Sequence, residues 1–303
     1  MPCIETLHIK YIRSEELEPL HSRHRVHAPR LTLLSVTGNR SSLTQLVTAL
    51  DAPNLATASV RAISDDPRTH QFVDFVSWIE TLATLGSPST LEDLEIALYE
   101  PREPPVVEHL ADLLAPLLVL PNVTRFSLSC STVLLVGAND DFPAAARAWP
   151  KLRVFQLWRA YWAPRVDPDD ESSELTPIPT PQVLACFRDQ CPALEELMLP
   201  YLDFDADVPV PVPARRVPRD GSCHGLARLA LGAKDVLRED DEDDDWEPDE
   251  RDDRKATECA RYILDLFPNL DVDSSHARCA SMLATMRWRE AFERIRPLSQ
   301  QRD

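Results

Sequence analysis

Residues 192–199 read Pro192-Ala193-Leu194-Glu195-Glu196-Leu197-Met198-Leu199, and this stretch decides the fold. The spacing Pro-x-Leu-x-x-Leu-x-Leu puts Leu197 and Leu199 on one face of a short strand, because side chains alternate with period two along a strand. The residues between them face the other way. The proline marks the end of the preceding element, since it lacks the backbone N–H that a continuing helix would need.

The same spacing recurs, with conservative apolar exchanges, at Pro2-Ile4-Leu7-Ile9, Pro29-Leu31-Leu34-Val36 and Pro53-Leu55-Ala58-Val60. It returns at Pro121-Val123-Phe126-Leu128 and Pro150-Leu152-Phe155-Leu157, and without the proline at Leu91-Leu94-Ile96 and Leu226-Leu229-Leu231. A ninth instance, Pro268-Asn269-Leu270, begins alike and then departs at Asp273 and Ser275. The leading apolar residues, at 4, 31, 55, 91, 123, 152, 194, 226 and 270, are 24 to 44 residues apart.

Amphipathic helical stretches lie between these strands. Ser42-Leu43-Thr44-Gln45 reads as a capping box before Leu43, Leu46, Val47 and Leu50 on one helical face. Asp66-Pro67 reads as an N-cap with proline at the first helical position, followed by Phe72, Phe75, Val76, Ile79 and Leu82, with Gly86 beyond the end. Pro104-Pro105 precedes Val106, Leu110, Leu113, Leu114 and Leu117, and Thr180-Pro181 precedes Val183, Leu184 and Phe187. Lys255 to Phe267 carries Ala256, Cys259, Ile263 and Phe267 in the same way. A strand–loop–helix unit cannot bury its apolar face alone. Stacked units predict an α/β architecture, with parallel strands lining the inside of a curve and helices outside.

Leu-x-x-Leu-x-Leu with one helix per unit resembles leucine-rich repeats of the ribonuclease-inhibitor-like type. Ala148-Trp149-Pro150-Lys151-Leu152, Cys191-Pro192-Ala193-Leu194 and Leu266-Phe267-Pro268-Asn269-Leu270 resemble the leucine-rich regions of F-box proteins of the kind expanded in fungi. The terminal helix with Trp288 fits that pattern. The resemblance implies a horseshoe-shaped solenoid of about eight to nine irregular repeats over residues 1–296, with 297–303 as a disordered tail. It also implies substrate recognition for a ubiquitin ligase. The asparagine that often ends the strand motif occurs once, at Asn39, and no F-box precedes the first repeat at Pro2. Docking to Skp1 is therefore expected only if an upstream F-box exists.

Composition narrows the function classes. The chain has 303 residues with a formal charge of −18, 27 Pro, 6 Gly and 44% apolar residues. That apolar content supports a packed core. The few glycines form neither G-x-x-x-x-G-K nor G-x-G-x-x-G, so the common phosphate cradles are missing. No apolar run reaches the roughly 18 residues of a membrane span, and the N-terminus does not read as a signal peptide. Seven cysteines without paired spacing point to reduced thiols and an intracellular location. The acidity is local: residues 239–253 hold twelve acids and one Arg, and 167–174 hold five acids, leaving 33 acids against 31 bases elsewhere. Both stretches are expected as acidic loop insertions, and Val208 to Pro218 as an extended proline-rich spacer. Because Lys10, Arg61, Arg125 and Arg228 are interleaved with Asp93 and Glu95, no basic stripe for nucleic acid is expected.

Open solenoids need capped ends. Ser275 to Arg296, with Met282, Met286, Phe292 and Ile295, reads as a C-terminal cap. No candidate precedes Ile4 to Ile9, so an edge is expected there, one that an upstream segment or a partner would cover.

Several local motifs read as structural. Gly221-Ser222-Cys223-His224-Gly225 matches a cysteine nucleophile elbow, but a strand follows where the elbow needs a helix. His21, His24 and His27 have a spacing that suits zinc poorly, and Arg23, Arg25 and Arg30 oppose a cation. Cys186 and Cys191 sit at a helix end and read as core. Asp203-Phe204-Asp205-Ala206-Asp207 opens like a calcium loop but lacks its glycine and glutamate. No cofactor is expected.

The remaining candidate is the outward face of the strands: His8 and Lys10; Thr57, Ser59 and Arg61; Asp93 and Glu95; Arg125 and Ser127; Gln156 and Trp158; Met198; and Arg228. Arg, Met and Trp without a nucleophile–base pair predict a protein-recognition surface rather than an enzyme. Arg61, Glu95, Arg125, Gln156, Trp158, Met198 and Arg228 are the expected partner contacts, and Trp158, near Tyr161 and Trp162, is the most informative. The alternative is a free-standing leucine-rich regulatory or inhibitor module, or a GTPase-activating type, with no link to ubiquitin.

Overall fold

A computed structural model describes residues 3–12, 25–63, 75–99, 106–130, 133–158, 161–162, 178–200, 202–203, 224–231, 250–275 and 286–300. The chain divides into two compact units, 1–135 with 158–160 and 136–157 with 161–303.

The first unit is built on five parallel strands. β1 (Thr6–Ile12), β3 (Leu33–Gly38), β5 (Thr57–Ile63), β6 (Asp93–Tyr99) and β8 (Arg125–Cys130) lie side by side in that order. Two-residue strands β2 (Val26–His27) and β4 (Leu50–Asp51) pair with each other, and β7 (Val106–His109) lies beside β9 (Val133–Val136) in a further small sheet. Its helices are α1 (Arg40–Ala49), α2 (Phe75–Ala83), α3 (Leu110–Leu114) and a 3-10 turn, Ala115–Val119. The second unit has the parallel strands β10 (Val154–Trp158), β12 (Glu196–Leu199) and β13 (Arg228–Leu231), and the short β11 (Tyr161–Trp162). Its helices are α4 (Asp141–Ala148), α5 (Gln182–Gln190), α6 (Glu250–Leu266) and α7 (Met286–Gln300).

The residue after each leading apolar residue sets the register between neighbouring strands. In the first unit the Glu5 carbonyl accepts the N–H groups of Thr32 and Leu33, that of Thr32 accepts Ala56 and Thr57, and that of Ala56 accepts Glu92 and Asp93, all at 2.9–3.2 Å. The Glu92 carbonyl accepts Thr124 and Arg125 at 2.7 and 3.1 Å. In the second unit Arg153 accepts Glu195 and Glu196, and Glu195 accepts Ala227 and Arg228, at 2.8–3.0 Å. At the position just before the leading residue, side chains tie three of these turns to the ones before. Asn54 Nδ2 donates to the Pro29 carbonyl at 2.7 Å, Thr90 Oγ1 to that of Pro53 at 3.0 Å, and Asn122 Nδ2 to that of Ser89 at 2.7 Å.

This register buries the apolar positions read from sequence. Leu34, Val36, Ala58, Val60, Leu94, Ile96, Phe126 and Leu128 are buried in the first unit. Phe155, Leu157, Leu197, Leu199, Leu229 and Leu231 are buried in the second. There Phe187 of α5 packs at 5.1 Å on Phe155 and 6.0 Å edge-on to Phe142, an arrangement that aromatic quadrupoles favour. β1 is the exception: Leu7 and Ile9 are only half-buried, as befits the strand at the end of its sheet.

Several local expectations change. The cap of α1 is Asn39, whose Oδ1 accepts the Ser42 N–H at 2.7 Å, so Ser42 lies inside the first turn rather than capping it. Val106 to His109 form β7, and the helix starts only at Leu110, because two adjacent β-branched residues favour the extended form. Glu250 to Asp253, assigned to an acidic loop, belong to the first turn of α6. α7 runs through Pro297 to Gln300, so 297–300 are helical rather than tail. A proline this near the helix end removes a single backbone bond, which the last turn tolerates. Gly86, beyond α2, adopts φ +69°, the left-handed form that ends helices. Asp66-Pro67, Phe72, 167–174, 239–249 and 208–218 lie outside the described residues.

The last strand is closed by the sequence that departs from the pattern. Asp271 N–H donates to the Ala227 carbonyl at 2.8 Å, continuing the register by one bond. The chain then turns helically at 272–275, capped by Asp271, whose carboxylate accepts the Ser274 N–H at 3.1 Å and its hydroxyl at 2.6 Å. The buried Ser275 Oγ accepts the Leu229 N–H at 3.1 Å. A hydroxyl thus takes the donor that another strand would have taken. Behind this turn, Phe292 and Ile295 of α7 are buried, and α7 packs on α6.

Candidate functional site

Strand alternation places the outward residues in rows within each unit. In the first unit, strand pairing aligns His8, Ser35, Ser59, Glu95 and Ser127, and beside them Thr57, Asp93 and Arg125. Glu95 is the hub. One carboxylate oxygen accepts the Ser59 hydroxyl at 3.0 Å and the other the Arg61 guanidinium at 3.0 Å. Asp93 accepts the Thr124 hydroxyl at 3.2 Å. Arg125, the strand partner of Asp93, is exposed and forms no ion pair among the described residues.

In the second unit the hub is Glu196, which the sequence reading did not single out. It occupies the strand position equivalent to Asp93 and Arg125, so the signal was present in the spacing. Gln156 Nε2 donates to one of its oxygens at 2.6 Å, and the Arg228 guanidinium lies 3.0 Å from the other. The structure thus joins Gln156 with Arg228 through a residue between them. Met198 is not a surface contact: it is fully buried. Its strand neighbour Ala230, one row position on, is buried too, so the row is covered at β12 and β13, where an apolar side chain suits it, while Gln156 in the same row on β10 stays half-buried. Trp158 ends β10, but its side chain and those of Tyr161 and Trp162 lie outside the described residues.

The lesser motifs fall as follows. His27 Nδ1 is 2.7 Å from the Asp51 carboxylate, while His21 and His24 lie outside the described residues. No group of three metal-ligating side chains occurs among the described residues. Cys191 Sγ donates to the Ala146 and Trp149 carbonyls at 3.5 and 3.7 Å, and burial pushes its thiol up to about 12. Burial first, and then the charge of Cys191, push Cys186 to about 12 as well. Such thiols carry little of the thiolate that ligation or attack requires. Of Gly221 to Gly225, only the last two residues are described. His224 is a strut: Nε2 donates to the Cys191 carbonyl at 2.9 Å, Nδ1 accepts the Leu226 N–H at 3.1 Å, and the ring packs on Phe267. Asp203 N–H bonds the Pro179 carbonyl, and the remainder of that acidic stretch lies outside the described residues.

No helix among the described residues is long and apolar enough to cross a membrane. What the two hubs offer chemically is hydrogen bonding from guanidinium and amide groups already held in place. No family model matches the chain, and no curated protein matches it.

Proposed function

We propose that the chain is a leucine-rich-repeat solenoid that recognises a protein partner through its outward strand positions. The observation that carries this is the carbonyl following the leading apolar residue, which accepts two N–H groups from the next strand at Glu5, Thr32, Ala56 and Glu92 in the first unit and at Arg153 and Glu195 in the second. A spacing of 24 to 44 residues that returns to the same hydrogen bond is what stacked repeats require. The outward side chains support recognition. Arg61 is held by Glu95 and Arg228 by Glu196, so ordering them at an interface costs less rotamer entropy. In the F-box proteins that the sequence resembles, such a surface selects substrates for ubiquitylation, and that is the role inferred here. A free-standing regulatory or inhibitor module would use the same face without Skp1.

Photo-crosslinking residues at positions 125 and 156, with a control at Ser41 on α1, test the proposal. Capture of one protein from 125 and 156 but not from 41 supports the outward face. Equal capture from all three, or from 41 alone, overturns it. Co-capture of Skp1 by the full-length protein selects the ligase role over the free-standing one.

A further inference from the structure

On the helix side of the first unit, α2 and the 3-10 turn border a groove of about 510 Å³, lined by Val76, Glu80, Ala83, Asp112, Ala115 and Pro116. Val76, Glu80 and Ala83 follow at i, i+4 and i+7, so they share one face of α2 over about 10 Å, two helical turns. Pro116 sits near the start of the 3-10 segment, and Ala83 and Ala115 bring only methyl groups to the lining. In a 3-10 turn residues three apart eclipse each other, so Val119 stands directly over Pro116. Val119 is 60% exposed, the most exposed large apolar side chain among the described residues, and it extends the apolar strip beyond the groove.

Among the described residues the groove carries charge of one sign. Glu80 and Asp112 are exposed and have no hydrogen-bond or ion-pair partner among the described residues, and no Lys, Arg or His among those residues lines the groove. An apolar floor with two unneutralised carboxylates repels an anionic lipid surface and fits a segment that brings apolar side chains and cations together. We infer that this groove docks a basic amphipathic helical segment of a partner protein, its apolar face on Val76, Ala83, Ala115, Pro116 and Val119 and its Lys or Arg residues on Glu80 and Asp112. The site is separate from the outward strand rows, so both could be engaged by different segments.

The test uses the full chain and two synthetic helical peptides of about four turns, one of leucine and lysine, the other with glutamate replacing lysine, followed by amide chemical shifts. The lysine peptide should move the signals of 76–83 and 112–119, and E80K/D112K should abolish those shifts and weaken binding at this site about tenfold or more. Both substituted positions are exposed, and an unchanged far-ultraviolet spectrum verifies that the variant folds. The glutamate peptide should leave the groove signals in place. Shifts confined to the acidic stretches 167–174 and 239–253, or groove shifts that E80K/D112K leaves unaltered, would overturn the inference.

Discussion

The carboxylate of Glu196 is 5% exposed and lies 3.0 Å from the guanidinium of Arg228, which is 44% exposed. The two ends of this pair therefore contribute unequally. Removing the arginine strands a buried charge, whereas removing the acid frees a cation that can reach water. Arg228→Met should cost about 2–3 kcal/mol, somewhat less than for a fully buried pair because Gln156 still donates to the acid. Glu196→Met/Arg228→Met should recover most of that loss. Arg61→Met, in a pair half-exposed on both sides, should cost less than about 1 kcal/mol. Urea midpoints of the four proteins check the order, and equal losses at Arg61 and Arg228 would show that Glu196 is hydrated.

The core register makes a second prediction. Leu152→Ala and Leu197→Ala each remove a fully buried side chain and should cost about 2–5 kcal/mol. Lys151→Ala and Arg153→Ala, flanking the first of these on exposed positions, should change stability by less than about 0.5 kcal/mol apart from any contribution of the Arg153–Glu195 ion pair. Unaltered melting of the leucine variants would mean that the strand faces are assigned the wrong way round.

These inward positions were legible because the information is local: period two within a strand, a proline stop, and the same spacing found again some thirty residues on. Helix α5 after Thr180-Pro181 and the buried face of α6 at Ala256, Cys259 and Ile263 were legible for the same reason. What failed depended on context that the spacing alone does not carry. Ser42 and Asn39 are both good caps, and the choice falls to where β3 ends. Spacing shows that Met198 leaves the inner face, but not that its own side of the sheet is covered. Glu196 was overlooked because its importance lies in Gln156 and Arg228, tens of residues away in sequence.

His224 should make the second unit sensitive to mild acid. Burial holds its pKa below the ordinary 6.5, against a smaller opposing effect of its bond to the Cys191 carbonyl, and Arg188 and Asp189 act on it from α5 with opposite signs. The neutral ring is the one that can accept the Leu226 N–H. With the folded pKa depressed, the unfolded chain takes up the proton first as pH falls. The stabilisation is complete above about pH 6.5 and is lost progressively below it. His224→Gln should be less stable than the parent at pH 7.5, and the gap should narrow toward pH 5. A gap independent of pH would show that the ring is protonated equally in both states.

Ser275 supplies the last test, because it separates a strand that is closed from one that merely stops. Its hydroxyl accepts the Leu229 N–H while its own N–H is bonded to the Asp271 carbonyl. Ser275→Ala leaves the Leu229 donor buried without an acceptor and should cost about 1–3 kcal/mol. Ser274→Ala, two hydrogen bonds from the strand and partly exposed, should cost less. Hydrogen exchange distinguishes the local cause from a general loss of stability. In Ser275→Ala the Leu229 amide should exchange faster relative to Leu231 on the same strand, since a free edge donor needs no global opening to meet water. If Leu229 keeps its protection relative to Leu231, another acceptor closes this edge, and the departure from the apolar pattern at Asp273 and Ser275 has some other cause than ending the sheet.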